Sequence, residues 1–376
     1  MPNASPYDLA VVGAGICGLA HALFGARRGK RVVVIDRDAQ ANGASVRNFG
    51  FVTVTGQQTG DCWRRAMRSR DVWIDVAVAA EIPIPQRGLL IVARRREARA
   101  VIEEFLQTDM GAGCRLIEPD RLGEFGADLR SKAFAGALFS PHEIRVESRD
   151  AIPRLANWLA ERHGVTFLRE TAVQAVDPPR VETSRGPIAA EAAVVCPGDD
   201  LVTLFPERLA RYGLTRCKLH MMRARREAVD PRLPAVMSDL GMIRYRGYCE
   251  LKAAAALRAR LETEQAAHVA AGVHLIAVRS ADGSLVVGDS HAYAATPDPF
   301  APAGIDELIL DEFARVFAGP RPQILERWTG TYASAPDRLM LVDRPSDAER
   351  IVLITSGTGA STAFAIAEEV IAELYG

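Results

Sequence analysis

Two glycine-rich segments near opposite ends of the chain carry residues whose types and spacing point to chemistry. The first, Gly13-Ala-Gly15-Ile-Cys-Gly18, follows the apolar run Tyr7 to Val12 and opens a helical stretch from Leu19 to Arg28. A diphosphate needs this order: Gly13 permits a tight turn, Gly15 lets backbone approach a phosphate, and Gly18 lets helix pack on strand. The first N–H groups of the helix then point at the anion. A second strand, Arg31 to Ile35, ends at Asp36, whose carboxylate is placed to accept ribose hydroxyls and to repel a 2′-phosphate, with Arg37 beside it. NADP is thereby disfavoured, while FAD and NAD stay open.

The second segment, Ser356-Gly357-Thr358-Gly359-Ala360-Ser361-Thr362, follows the apolar run Ile351 to Thr355. It leads into a helix reaching about Leu374, with apolar positions at Phe364, Ile366, Val370 and Ile371. NAD asks for one helix start, whereas a reduced flavin carries negative charge near N1 and O2 that a second helix start stabilises. Two starts favour FAD. The competing reading is a glycine-rich turn that serves only close packing.

The elements that must position these segments can be read at lower resolution. Ala192 to Cys196 predicts a strand running into Pro197-Gly198, and Thr171-Ala-Val173-Gln a shorter one. Gly88 to Val92 predicts a strand, Glu97 to Leu106 a helix, and Leu251 to about Ala271 a long alanine-rich helix. Val273 to Arg279 and Ser284 to Gly288 predict strands joined by a two-residue hairpin at Asp282-Gly283.

With 376 residues, the chain exceeds the ~250 to 300 at which single cores stop growing, so two lobes are expected. Apolar residues at 48% and charged residues at 25% exclude a disordered chain. A net charge of −1 gives no field for a polyanion, and the short runs Arg94 to Arg96 and Arg223 to Arg226 read as solvated faces, so nucleic acid is not an expected partner. Leu9 to Phe24 is interrupted by glycines and predicts no membrane span, and the start shows no secretory signal; the cytoplasm is the expected location. The six cysteines and seven histidines show no metal-ligand spacing, so the cysteines are expected reduced and no metal is expected. No serine lies in a G-x-S-x-G turn with assignable partners, which removes a nucleophilic triad.

With these motifs in hand, the chain resembles the D-amino acid oxidase superfamily, which includes glycine oxidase and sarcosine oxidase. The resemblance runs nearly end to end. It rests on Gly13 to Asp36, the loop Gly43-Ala-Ser45-Val-Arg47-Asn48-Phe-Gly50, the strand ending at Gly198, Trp328-Thr-Gly330-Thr-Tyr332, and Ser356 to Thr362. It implies an α/β fold, a Rossmann-like FAD-binding domain interleaved with an α+β substrate domain carrying a mainly antiparallel sheet. The implied cofactor lobe is 1–85, 141–215 and 326–376, and the implied substrate lobe 86–140 and 216–325. Residues Gly13, Gly15 and Gly18 would touch the FAD diphosphate, Asp36 its ribose and Val173 the adenine side. Ser45 to Gly50, with Gly330 and Gly357 to Thr362, would surround the isoalloxazine ring. The stretches Gly43 to Gln57 and Gly357 to Ile366 more narrowly resemble a subgroup linked to bacterial aminophosphonate breakdown, which implies an N-methylated or 1-hydroxylated 2-aminoethylphosphonate as substrate. Gly330 stands where some sarcosine oxidases carry the cysteine that bonds the flavin, so FAD is expected to be non-covalent. Val286 stands where those enzymes carry an oxygen-activating lysine, which leaves O2 and another electron acceptor both open.

A phosphonate of charge near −2 asks for more than one cation in a dry site. The candidates are Arg47 with Gln57 beside the ring, Lys218 and His220 on the strand Thr215 to Met222, and Arg244 and Arg246 around Tyr245. Each has a plainer alternative. Arg47 fits a cofactor phosphate or a backbone carbonyl equally well; Arg244 and Arg246, read as alternating on a strand with Ile243 and Tyr245, fit a solvated face; Lys218 and His220 fit a structural pair. Three functions follow: an FAD amine oxidase or dehydrogenase on an aminophosphonate, the same chemistry on N-methyl or D-amino acids, and a dinucleotide-binding module without turnover. An NAD-linked dehydrogenase is a further alternative, and a homo-oligomer is compatible with all of them.

Overall fold

The computed structural model describes residues 7–126, 128–227 and 229–376. Two sheets organise it, and their strand types follow from burial. Leu9, Ala10 and Val11 are wholly buried, as are Val33 and Ile35, because helices and a hairpin cover both faces of the first sheet. Strands buried on both faces read as continuous apolar runs, which is how Tyr7–Val12 and Val32–Ile35 were legible.

The first sheet has eight strands. Its main path runs Met340–Ser346, Glu349–Ile354, Ile188–Val195, Tyr7–Val12, Val32–Ile35 and Thr166–Leu168. All neighbours along this path are parallel except the Met340–Ser346 edge. A hairpin of Val173–Asp177 and Arg180–Thr183 joins it through Ile188–Val195. On one face pack the helices Ile16–Arg27, Asp61–Ala79, Ser148–His163 and Gly359–Tyr375. Gly18 sets the closest approach: a Cβ there would lie 1.8 Å from the Gly13 carbonyl oxygen. The closing helix Gly359–Tyr375 buries Phe364, Ile366, Val370 and Ile371, each contributing roughly 1.5–3 kcal/mol. Trp73 ties down its first turn, donating its indole N–H to the Ala360 carbonyl at 2.7 Å with its ring edge-on to Phe364 at 5.0 Å.

The second sheet has ten strands, with main path Ala292–Ala294, Thr215–Arg225, Leu285–Gly288, Ile276–Arg279, Ala235–Ser238, Gln86–Ala93, Gly136–Arg145 and Phe51–Val52. It is antiparallel apart from the pairing of Ala235–Ser238 with Gln86–Ala93. Gln323–Ser334 pairs along Thr215–Arg225, so this strand, expected within the cofactor lobe from 326 onward, lies in the second sheet. The expected α/β class with a second, mainly antiparallel layer is the one observed.

Two local expectations change. The helix expected over Leu251 to Ala271 is two helices, Ala254–Glu264 and Ala266–Ala270, broken at Gln265. The buried Gln265 accepts from Arg95 at 2.7 Å and donates to the buried Glu312 at 2.8 Å, and satisfying that ionic cluster outweighs continuing the helix. The hairpin expected at Asp282-Gly283 has three residues, Ala281 to Gly283, between Ser280 and Ser284. Gly283 takes φ +80°, the left-handed position that three-residue loops require.

Candidate active site

The loop after Tyr7–Val12 turns at Gly13 with φ +100°, where a Cβ would lie 2.5 Å from the Cys196 carbonyl oxygen. Asp36, at the end of the second strand, holds that loop: its Oδ2 accepts the Ala14 N–H at 2.6 Å and its Oδ1 the Asp38 N–H at 2.9 Å. Each oxygen keeps a lone pair for a hydroxyl donor. Arg37 donates to Asp200 at 2.7 Å across the mouth of the same loop. Ser45 comes in from the following loop, and its hydroxyl accepts the Ile16 N–H at 2.9 Å, capping the helix start and keeping its own proton to donate.

The two helix starts meet. A Cβ on Gly359 would lie 3.7 Å from Ile16 Cγ2, and one on Gly15 would lie 2.9 Å from Ser45 Oγ. Between them opens a cavity of about 370 Å³. Of the expected cofactor residues, Gly15, Gly18, Ser45, Arg47, Asn48, Gly198, Gly330 and Gly357 to Ser361 line it. Asn48 shapes the loop, since its amide donates to the Ala44 carbonyl and its oxygen accepts from Gly50 N–H and the Ser148 hydroxyl.

The second sheet's strands contribute Tyr293 and Tyr332 to the lining, and the loops and helical corner attached to it contribute Gln57, Arg244, Tyr245, Arg246, His274, Asp289 and His291. Buried Gln57 is held by its amide donating to Thr53 Oγ1 at 2.9 Å. Arg47 donates to Asn42, Arg244 to the Tyr293 hydroxyl and Arg246 to the Pro336 carbonyl. Among the described residues, none of these three guanidinium groups sits in a salt bridge. Burial pushes Asp289 up to about 8 against the pull of Arg244, and burial with neighbouring cations holds His274 and His291 well below the usual imidazole range. Burial also raises the Tyr245 and Tyr332 phenols. For Arg244, burial works against the charge, but Tyr293, Asp289 and Tyr332 outweigh it and keep the guanidinium protonated.

Several expected residues stand elsewhere. Lys218 and His220 lie on Thr215–Arg225, but the face that reaches the cavity is that of Leu219. Lys218 spends its ammonium on the Asp298 carbonyl, the Asp298 carboxylate and the Phe300 carbonyl, all at 2.9 Å, and His220 sits 3.6 Å from Asp306. Strand parity assigns them to the far side. Arg244 and Arg246 do reach the cavity, though not from a strand: Asp239–Ile243 is a 3-10 turn and Arg246–Cys249 a short helix, joined at Tyr245. Gly50 is a backbone turn with φ +67° packed against the Val146 carbonyl, off the cavity lining. Thr362 is buried and bonds back to the Thr358 carbonyl. The Val173 side chain packs in the core with Val33 and Ile35, and the residue does not line this cavity. Val286 is buried away from this cavity, beside Arg223 and Trp328.

Sequence reasoning missed His274, Asp289 and His291. It saw no clustering of metal-type ligands, yet folding assembles two such groups, this one and Cys17, His21 and Cys196 beside the first helix start. Part of the signal for the first lay in the hairpin: strands joined near Asp282-Gly283 bring residue 274 opposite residues 289 to 291.

A protein-family model described as FAD dependent oxidoreductase (DAO) matches residues 8–374. Among solved structures the chain is similar to glycine oxidase from Geobacillus kaustophilus, with TM-score 0.77 and 19% identity over 99% of this chain and 95% of that one. It is also similar to L-proline dehydrogenase from P. horikoshii, with TM-score 0.77 and 19% identity over 98% and 92%. L-alpha-glycerophosphate oxidase from Mycoplasma pneumoniae, solved with FAD bound, gives TM-score 0.72 and 15% identity over 99% and 96%. No curated protein matches the chain.

Proposed function

The chain belongs to the FAD-dependent oxidoreductase family, and from that premise we propose that it oxidises a small anionic amine at the carbon next to nitrogen. The favoured substrate is an N-methylated or 1-hydroxylated 2-aminoethylphosphonate, and the imine formed hydrolyses to aldehyde and amine. The observation that carries the substrate class is the set of three guanidinium groups, Arg47, Arg244 and Arg246, lining one cavity and each bonded only to neutral oxygens. Guanidinium forks match phosphonate oxygens, and a dianion uses more than one.

The residues present fit FAD. Gly13 to Gly18 with the Ser45 hydroxyl suit the diphosphate, and Asp36 the ribose. Gly330, where a side chain would meet the Arg47 carbonyl oxygen at 3.0 Å, lets the Arg47 loop close against the strand that lines the cavity, and the first turn of Gly359–Tyr375 would stabilise the negative charge of a reduced flavin ring. Gly330 offers no nucleophile, so the cofactor is expected to be released by denaturation. When bound, FAD supplies the hydride acceptor. The chain's own part is to hold the anion with the arginines, to orient the amine with Gln57 and Tyr245, and to exclude water with Leu219 and Ile276.

The second reading, oxidation of an N-methyl or D-amino acid, is favoured by the likeness to glycine oxidase and L-proline dehydrogenase. One experiment separates them: anaerobic mixing of the flavin-loaded protein with 2-(methylamino)ethylphosphonate, 1-hydroxy-2-aminoethylphosphonate, sarcosine, glycine and D-alanine, followed by absorbance. Bleaching by the phosphonates is expected, and bleaching by amino acids alone overturns the phosphonate reading. Admitting air then tells oxygen from another acceptor.

A further inference from the structure

We propose that His274, backed by Asp289 and His291, takes the proton from the substrate's ammonium group, so that the amine is neutral when its hydride leaves. The inference rests on the amine-oxidising reading above. Small aliphatic amines have pKa values of about 10, so nearly all of such a substrate arrives protonated at neutral pH, without the nitrogen lone pair that drives the oxidation.

His274 and Asp289 face each other across the hairpin, His274 N–H donating to the Asp289 carbonyl at 3.1 Å and Asp289 N–H to the His274 carbonyl at 2.9 Å. Residues paired in this way put their side chains on one face. His274 Nδ1 lies 3.1 Å from Asp289 Oδ1, and His291 Nε2 lies 4.0 Å from Asp289 Oδ2. His291 Nδ1 is 2.9 Å from the Gly272 carbonyl, which fixes that nitrogen as the N–H and leaves Nε2 as the acceptor. All three residues line the cavity, and both ring nitrogens of His274, together with Asp289 Oδ1, are buried without a hydrogen-bond partner. A histidine kept for structure alone satisfies its nitrogens; this one holds a free nitrogen inside the substrate cavity.

The charged and titratable groups around the cluster are Arg244, Tyr245 with its ring 5.6 Å from that of His274, Tyr293 with its ring 6.4 Å from that of His291, Cys217 and Tyr332. Burial first, and positive charge around them second, depresses both imidazoles, and the Arg244 guanidinium beside them disfavours a resident divalent cation although the three ligand atoms lie within 4.8 Å of one another. The same cation suits a substrate whose anion docks on Arg244 while its ammonium lies toward His274. In the transfer the ammonium N–H bond breaks, its electron pair stays on the amine nitrogen, and the proton bonds to His274 Nε2. The imidazolium's Nδ1 then lies 3.1 Å from Asp289 Oδ1, whose carboxyl is ionised above about pH 8.

The test is stopped-flow reduction of the flavin in wild type, His274→Asn and Asp289→Asn, with 2-(methylamino)ethylphosphonate and sarcosine as probes, from about pH 6.5 to about pH 10. His274→Asn is expected to lower kcat/KM at least ~10-fold near pH 7.5 and to approach wild type near pH 10, where the free amine is abundant. A loss of equal size at both pH values makes His274 merely structural and overturns the relay, as does no loss at all. Should the variants fail to retain flavin, wild type alone decides, by comparing each probe with its fluorinated, less basic analogue. With a relay the acid limb of kcat/KM stays in place; a limb that moves with the amine's own pKa overturns the proposal. If neither probe bleaches the flavin, the amine-oxidising reading falls and the relay with it; if a probe bleaches without the pH signature, the relay alone falls.

Discussion

The two walls of the cavity are built by opposite strategies. The wall formed by the helix starts at Gly15 and Gly359 is made of backbone, and each half comes from a short contiguous segment. The wall carrying Arg244, His274 and Asp289 is made of side chains drawn from a helical corner and a hairpin, brought together by long-range pairing. Backbone walls demand particular conformations and hence particular residues. Side-chain walls demand only that the right faces meet, and the sequence records those faces weakly.

Substitutions can sharpen or break this contrast. The largest effect is expected from Gly18→Val, which puts side-chain atoms inside the 1.8 Å gap to the Gly13 carbonyl. Flavin retention should be abolished and stability should fall by more than ~3 kcal/mol, read by absorbance and thermal melting. Retained flavin would mean the backbone wall is less exacting than described. On the other wall, Arg244→Met should leave flavin bound while lowering kcat/KM for an anionic amine by about 2–3 kcal/mol, roughly 30- to 150-fold, with little change for a neutral amine such as N-methylbenzylamine.

A smaller effect concerns Asp289. Its carboxyl is held up to about 8 by burial, so the folded state keeps the proton more tightly than the unfolded chain does. The stability this contributes is present below the unfolded pKa near 4 and is lost as pH rises toward 8. Between about pH 6 and pH 8 the melting temperature of Asp289→Asn should therefore rise relative to wild type by a few degrees. A pH-independent difference would show that Arg244 keeps the carboxylate ionised throughout. The smallest effect on function is expected from Lys218→Met, since that ammonium is spent on Asp298 and Phe300 outside the cavity. KM should be unchanged, with stability altered by about 1 kcal/mol, and a raised KM would return Lys218 to the site.

How much was legible follows the same division. The Gly13 to Asp36 unit could be read because each glycine answers a steric demand within the unit or one strand away, and the parallel strands advertise themselves by being apolar on both faces. Arg244 and Arg246 were picked out by charge, yet their alternation with Ile243 and Tyr245 imitated a strand where the chain turns through a helical corner. Lys218 and His220 were right in element and wrong in parity, since nothing local tells which face of Thr215–Arg225 looks inward until Gln323–Ser334 is paired along it. His274 looked isolated because only the hairpin brings it to Asp289 and His291.

The bond from Trp73 to the Ala360 carbonyl spans 287 positions, and the segment it anchors completes the cavity. During synthesis, which runs from the N-terminal side, the turn at Gly13 and every strand of the second sheet are made before residues 357–361 exist. A nascent chain therefore presents an open half-socket, with the Trp73 indole still lacking its acceptor, and a closed seat for the cofactor can arise only once translation has passed Ser361.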